Sequence, residues 1–273
     1  MLRPEYKKSN DDILVQLNDW TTFDKTIVDD DGSSSDESPS NKYKKKWKKK
    51  KRHFTIRAFG ITEEGHSISI DFTGFKPFFF LEVPEGWNRN VVRIFKKLLQ
   101  SRVNNYSVDS LIDFVGVQKI PFYGFCNYEK KFYIKLVFDN ISGYYSYLKA
   151  LRETEENPIR VQNENYDFNK LLLETKIAPL LRFFHIKQIK PVGWIKMSRG
   201  KFQHNIPKNT RCQIDCTMNF DDVIPVDMEK IGKFIVASYD IECTSCDGTF
   251  PNATRQEDEI IQIGTTINIF GDE

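Results

Sequence analysis

Apolar and polar side chains alternate along several short segments of this chain, which is the pattern of half-buried β-strands. Ile13, Val15 and Leu17 predict a first strand. Residues 54–58 and 68–72 alternate in the same way on either side of a Glu-Glu-Gly segment, which predicts a β-hairpin.

A mixed pattern of strands and helices follows. The predicted elements are a strand at 78–83, a helix at 91–99, a strand at 114–117, a strand at 132–138, a helix at 142–151 and an edge strand at 158–161. Asn88 or Asn90 can cap the first helix, and Ser142 can cap the second. This order is that of the ferredoxin-like βαββαβ unit, a scaffold also used by RNA-recognition modules.

Aromatic residues on the predicted central strand of this unit have two interpretations. Phe132, Tyr133 and Phe138 could stack on bases, or they could belong to the core. One face of the strand must pack against the two helices, so we favour the core.

Apolar residues recur at helical spacing over residues 167–189, and Pro179 indicates a break or a new helix start inside this segment. Strands are predicted at 191–195 and 212–218. Cys212 and Cys216 alternate along the second of these strands, so they are predicted to face the core.

A short apolar run at 234–242 predicts a buried strand that ends in two acids, Asp240 and Glu242. Because side chains alternate along a strand, both carboxylates point to one side and Tyr239 and Ile241 to the other. Such a pair is half of a site for Mg²⁺, which prefers oxygen ligands. The alternative is an ordinary strand end with two solvated acids.

The residues around this pair resemble a known motif. Tyr-Asp-Ile-Glu-Cys at 239–243, followed by Phe250-Pro251 and by residues 258–264, is similar to the first exonuclease motif of family B DNA polymerases. The resemblance implies that Asp240 and Glu242 are catalytic and bind metal in a 3′-to-5′ proofreading site. The complete site would hold two Mg²⁺ or Mn²⁺ ions roughly 4 Å apart.

The resemblance also implies how the chain is organised. Leu-Arg-Phe at 181–183 and Gly-Trp-Ile at 193–195 resemble, more weakly, elements that lead to the exonuclease domain. We therefore expect an α+β chain with a β-rich polymerase N-terminal domain at 53–230. The first strands of an incomplete RNase H-like exonuclease domain would follow at 231–273.

The later motifs of the family, both exonuclease and polymerase, do not occur in this sequence. The expectation is an N-terminal portion of a DNA polymerase, as a fragment or split-gene product, that is inactive alone. We also expect its last segment to be less ordered or to promote association. The alternatives are a stand-alone nuclease of the same superfamily and a non-catalytic nucleic-acid-binding module.

Charge is nearly balanced over the 273 residues, at +2, but it is uneven near the start. Acidic residues and serines at 29–37 precede a basic run at 42–52, which predicts a disordered insertion within residues 1–52. Its predicted nucleic-acid contacts are Lys44, Lys45, Lys46, Trp47, Lys48, Lys49, Lys50, Lys51 and Arg52. A solvated loop or a nuclear-import segment remains an alternative.

No apolar stretch approaches the roughly 20 residues that cross a bilayer, and the first residues do not form a signal peptide, so we expect a soluble intracellular protein. The five cysteines fit reduced thiols better than disulfides. A zinc site formed by Cys212, Cys216, Cys243 and Cys246 is a weaker alternative.

The family resemblance implies further partners. These are DNA, as primer-template and single-stranded 3′ end, deoxynucleotides and a processivity factor, with no membrane. The implied location is the nucleus or a viral replication site. A high content of Phe, Lys, Ile and Asn resembles the polymerases of large DNA viruses.

Overall fold

The computed structural model describes residues 4–8, 11–27, 51–121 and 127–270. The strands in this part of the chain are β1 (Ile13–Ile27), β2 (Lys51–Thr62), β3 (Ser67–Thr73), β4 (Phe78–Glu82), β5 (Leu111–Lys119), β6 (Lys131–Phe138), β7 (Ile159–Val161), β8 (Glu164–Tyr166), β9 (Leu172–Leu173), β10 (Trp194–Met197), β11 (Phe202–His204), β12 (Ile214–Asn219), β13 (Ile224–Val226), β14 (Ile235–Cys243) and β15 (Ile260–Ile269). The α-helices are α1 (Arg89–Ser101), α2 (Asn105–Val108), α3 (Ile141–Arg152) and α4 (Pro179–Lys187). The chain is thus a strand-rich α+β protein, as predicted.

A seven-stranded sheet has the order β11-β12-β3-β2-β1-β10-β13. The predicted hairpin is confirmed, because β2 and β3 pair antiparallel with Ala58 opposite Ile70. The predicted first strand continues to Ile27 and pairs with β2 over almost its whole length. The N-terminal strand therefore lies inside the sheet, between β2 and β10.

Alternating apolar residues of this sheet form a core with α4. Val15 and Leu17 of β1 are fully buried, as are Ile56 of β2 and Ile70 of β3, and Phe183 of α4 packs onto the same cluster. Cys216 of β12 is buried here as predicted, and burial raises the pKa of its thiol. Cys212 precedes β12, so its assignment to the strand is wrong.

A four-stranded antiparallel sheet has the order β5-β6-β4-β9 and carries α1 and α3 on one face. The predicted order of strand, helix, strand, strand, helix is confirmed. The predicted edge strand at 158–161 is misplaced: β7 pairs with β8 in a separate hairpin, and β9 takes the position beside β4. The tight turn, with Gln162 at φ 54°, lets β7 find a local partner at low loop-closure cost.

Helix boundaries differ from the sequence patterns in two places. The segment 167–189 is helical only from Pro179, which occupies the first turn of α4 and has no N–H to leave unpaired. The residues before it form a 3₁₀ turn and β9. Asn88 caps α1 as predicted, whereas Asn140 caps α3, and Ser142 lies one residue inside that helix.

The three aromatic residues of β6 have different environments. Tyr133 and Phe138 are 1% and 0% exposed, which confirms their assignment to the core. Phe132 is 59% exposed, so its assignment to the core is wrong. It is the second residue of β6, at the end of the strand farthest from the buried Phe138.

Asp24 of β1 links the two large sheets. Its carboxylate accepts hydrogen bonds from the Ile141 N–H (2.7 Å), the Ser142 N–H (3.1 Å) and the Ser142 hydroxyl (2.6 Å). These donors belong to the first turn of α3, where helix N–H groups lack intrahelical partners. An acid from one sheet therefore completes the N-terminal cap of a helix that belongs to the other.

Replacing Asp24 by Ala should lower the free energy of unfolding by about 1–2 kcal/mol, because two backbone donors and a favourable charge at the helix N-terminus are lost. Urea denaturation followed by circular dichroism measures the change. The matched control is Asp19→Ala in the same strand, whose carboxylate accepts only from the neighbouring Trp20 N–H among the described residues. Equal effects of the two substitutions would contradict the role of Asp24.

Candidate functional site

The two acids singled out in the sequence lie on a two-stranded antiparallel ribbon formed by β14 and β15. Asp240 lies opposite Gly264, and Glu242 lies opposite Gln262. The predicted strand at 234–242 is confirmed, but its predicted burial is wrong: Val236 is 41% exposed and Ile241 42%, because only the β15 strand pairs with it among the described residues. The ladder shifts by one residue after Glu242, where the chain leaves β14.

Side-chain alternation divides the ribbon into two faces. One face, here called the acid face, carries Ser238, Asp240 and Glu242 on β14. Gly264 is the residue of β15 directly beside Asp240, and a Cβ added to it would meet no atom within 4 Å. The space next to the Asp240 carboxylate is therefore open.

The acids of this face are available for a cation. Both side chains are exposed. The Ile241 N–H donates to Asp240 Oδ1 (3.0 Å), and neither acid forms an ion pair with the residues that the structure describes. Their Cα atoms are about 6.7 Å apart along an extended strand, so both side chains can reach one ion.

The donor set fits one side of a hard-cation site. Carboxylate oxygens are the ligands of Mg²⁺, which commonly takes one or two of them from protein and the rest from water and phosphate. Within residues 4–8, 11–27, 51–121 and 127–270, no group of three or more His, Cys, Asp or Glu is placed to hold a metal. Asp240 and Glu242 alone could therefore supply only part of the ligand set that such a cation needs.

Asp258, a further acid near the ribbon, is bound within the loop between β14 and β15. Asp258 accepts hydrogen bonds from the backbone N–H of Asn252 (2.7 Å) and of Cys246 (3.1 Å), and these bonds lower the pKa of its carboxyl. The Arg255 guanidinium lies 2.9 Å from the same carboxylate. The Asp258 carboxylate therefore stabilises the loop through Cys246, Asn252 and Arg255.

Asp247 has a similar structural role at the other end of this loop. The side chain and backbone N–H of Thr249 donate to its carboxylate, which lowers its pKa, and Arg255 pairs with it. Sequence reasoning did not identify Asp247, Arg255 or Asp258. The Asp-x-Thr spacing at 247–249, which is typical of side chains that cap turns, could have identified Asp247. No local pattern marks Arg255 or Asp258 as its partners in the loop.

The opposite, apolar face of the ribbon is exposed. Its residues are Ile235, Ala237, Tyr239 and Ile241 on β14 and Ile263, Thr265, Ile267 and Ile269 on β15. Ile263 is 57% exposed and Ile267 is 51% exposed. A continuous apolar surface of this kind usually marks a contact with other protein. Whether the segment is less ordered than the rest stays a prediction.

The predicted basic run lies mostly outside the described residues. Lys44 to Lys50 with Trp47 are not described. Lys51 and Arg52 are the first residues of β2, where they are exposed and lie opposite Ile27 and Thr26. The run therefore joins the sheet at the end of the β1–β2 pair.

Two further segments of the predicted motif are structural. Arg182 is buried, donates to Glu174 (2.7 Å) and places its guanidinium 4.2 Å from the centre of the Phe78 ring. Trp194 donates from Nε1 to the Lys230 carbonyl (2.7 Å). Both residues fix the segments that lead to β14.

The sequence of this chain is similar to sequences of known proteins. The family described as DNA polymerase family B, exonuclease domain, matches residues 172–273. The DNA polymerase of Acanthamoeba polyphaga mimivirus is 32% identical over 233 residues, which cover 80% of this chain and 13% of the relative. The chain belongs to the family B DNA polymerases. The DNA polymerase delta catalytic subunit of Schizosaccharomyces pombe is 28% identical over 231 residues, covering 80% of this chain and 20% of the relative.

The fold agrees with this membership. The family B DNA polymerase from the archaeon Pyrobaculum calidifontis superposes with a TM-score of 0.56 at 14% identity, covering 96% of this chain and 27% of that one. This chain spans between 13% and 22% of the length of the curated relatives that it matches. The resemblance to family B polymerases inferred from the sequence is confirmed. No helix of its described residues has the length and apolar character needed to cross a bilayer.

The apolar face gives a testable expectation for this chain. Replacing Ile241 and Ile263, which lie opposite each other, by Thr should weaken self-association by about tenfold or more, since each isoleucine buried at an interface contributes about 1.5–3 kcal/mol. Sedimentation velocity over a range of concentrations measures the effect. Val236→Thr, on the acid face, is the control and should change nothing.

Proposed function

We propose that this chain contributes to DNA replication as part of a family B DNA polymerase, in which residues 231–273 begin the 3′-to-5′ exonuclease domain. The observation that carries the proposal is the acid face, with Asp240 and Glu242 on one side of β14 inside the segment matched to the exonuclease family. The β14–β15 ribbon then forms the first strands of an RNase H-like sheet. The remaining strands and acids of that sheet would come from further chain.

Asp240 and Glu242 would hold Mg²⁺ or Mn²⁺ through their exposed carboxylates. Bound divalent ions supply Lewis-acid activation of water and stabilise the leaving oxygen in phosphodiester hydrolysis. The open space beside Gly264 leaves room for the substrate next to Asp240. Two acids of a partial ligand set carry no reaction by themselves, so the chain alone should be inactive.

The preceding residues, 53–230, are proposed as the polymerase N-terminal domain. Support comes from the sheet order β5-β6-β4-β9 with two helices on one face, which is the arrangement of a ferredoxin-like unit with β9 as its fourth strand. The seven-stranded sheet holds this unit through Asp24 and leads, through β13, to the exonuclease segment. The proposed partners are primer-template DNA, a single-stranded 3′ end, deoxynucleotides and a processivity factor, in the nucleus or at a viral replication site.

Replacing Asp240 and Glu242 by Ala in a chain that continues through the later exonuclease and polymerase motifs should abolish 3′ exonuclease activity. It should leave nucleotide incorporation unchanged, because the acid face is remote in sequence from the polymerase motifs. Degradation of a 3′-labelled single strand and extension of a primed template, each with Mg²⁺, measure the two activities.

Ser238→Ala is the matched control for this experiment. Ser238 shares the acid face but has no carboxylate, so its replacement should preserve degradation. Retained proofreading in the double alanine variant would refute the metal assignment. Metal-dependent degradation by the unmodified chain of 273 residues would refute its proposed inactivity.

A second candidate function, sequence-independent DNA binding, rests on the basic run at 42–52. Lysines that neutralise phosphates release counterions, so affinity falls steeply with salt. Replacing this run by Gly and Ser should weaken DNA binding and flatten the plot of log affinity against log salt. An unchanged slope in a filter-binding titration would restore the interpretation as a solvated loop or import segment.

A further inference from the structure

A cleft of about 830 Å³ lies between α1 and the free end of the β5–β6 hairpin. Its floor is formed by Phe114, Gly116 and Ile134 on the helix-facing side of the sheet. The loop between β4 and α1 closes one end. The volume lies in the range of about 300–1,000 Å³ that is usual for ligand sites.

One wall of this cleft, here called the α1 cleft, is basic. Arg89, Arg93 and Lys96 follow one another at spacings of four and three residues, so they lie on the same side of α1. None of the three forms an ion pair with the described residues. Lys96 lies with Nζ 5.5 Å from the centre of the Phe114 ring, above the floor.

Acids in the α1 cleft compensate little of this charge. Glu82 is held by Lys131, with 2.7 Å between Oε1 and Nζ. Glu85 is the remaining acid among the lining residues, and Lys130 adds a further cation. The cleft therefore carries a net positive potential, which attracts a polyanion.

An aromatic side chain is available at the mouth of the α1 cleft. Phe132 is 59% exposed and belongs to the same face as Ile134. An exposed aromatic ring beside a row of cations is the combination that binds single-stranded nucleic acid, where the ring stacks on an unpaired base. Duplex bases are already stacked and cannot use such a ring.

The opposite face of the same sheet is closed to bases. RNA-recognition modules stack bases on sheet aromatics, but here Tyr133 is 1% and Phe80 9% exposed. Lys119 lies with Nζ 4.1 Å from the centre of the Phe80 ring and covers it. A strand of nucleic acid can meet an exposed aromatic of this sheet on the helix side, at Phe132.

We propose that the α1 cleft binds a single strand of nucleic acid, with phosphates on Arg89, Arg93 and Lys96 and one unpaired base on Phe132. The site uses neither Asp240 nor Glu242 and lies on a different sheet. It is therefore independent of the proposed exonuclease site.

The experiment measures binding of a fluorescently labelled thymidine oligonucleotide to the chain by anisotropy, with EDTA present so that the acid face takes no part. Arg93→Gln with Lys96→Gln should weaken binding and lower the salt slope by about 1.4, at about 0.7 for each phosphate contact to a single strand. Phe132→Ala should weaken binding about tenfold, and Phe132→Trp should restore it.

Two more variants distinguish binding in this cleft from nonspecific electrostatic attraction to the surface. Lys97→Gln removes an exposed cation from α1 that does not line the cleft, so each single change, Arg93→Gln or Lys96→Gln, should exceed it. Gly116→Leu places a side chain in open space within the cleft and should block binding while thermal unfolding stays unchanged. The basic run at 42–52 is present in every variant and cancels in the comparison.

The outcomes are decisive in both directions. Weaker binding by the cleft variants, for a thymidine or a uridine oligomer, supports the proposal, and the two oligomers show whether the sugar matters. Equal losses for a duplex and a single strand on Phe132→Ala would overturn it, because a duplex offers no unpaired base for the ring and its binding to the basic run is unaffected by this change. An effect of Lys97→Gln as large as that of Arg93→Gln, with none for Phe132→Ala or Gly116→Leu, would overturn it as well.

Discussion

The alternation of side chains along β-strands is the constraint on which both the site and the packing of this chain depend. In β14 it places Asp240 and Glu242 on one side and Tyr239 and Ile241 on the other, so one strand provides a polar surface for chemistry and an apolar surface for packing. In β6 it places Ile134 on the side of the helices and Tyr133 on the opposite side of the sheet, and both are 1% exposed. A register shift of one residue in either strand would exchange these roles.

The same periodicity explains how much could be predicted from the sequence. The hairpin of β2 and β3, the strand β14 and its two acids follow from local alternation, and the order of strands and helices from 78 to 151 follows from changes in period. The pairing between strands that are distant in sequence does not follow from such local patterns. Leu172 and Leu173, a two-residue strand with no pattern of its own, pair with β4 instead. No local pattern distinguishes the exposed Phe132 from the buried Tyr133 and Phe138.

Helix caps and loop contacts also depend on residues that are distant in sequence, so local patterns do not predict them. Ser142 has the residue type of a helix cap, but the capping oxygens come from Asn140 and from Asp24, which is 118 residues away from Ser142. Asp247 and Asp258 of the β14–β15 loop carry the same carboxylate group as Asp240 and Glu242. The loop acids are hydrogen-bonded to backbone N–H groups and paired with Arg255, whereas Asp240 and Glu242 are exposed to solvent. Residue type restricts the candidates, and the folded backbone decides which acids remain free for a cation.

The pairing of β1 with β2 affects how the length of this chain can vary. Ile27 and Lys51 face each other at the end of a continuous ladder, so the two ends of segment 28–50 are already held together by the sheet. Closing a chain between two fixed points becomes costlier by only about 0.6 kcal/mol for each doubling of its length. Length and composition at this point can therefore drift between relatives with little effect on folding, which makes it a natural place for lineage-specific additions and a practical one for inserting a tag.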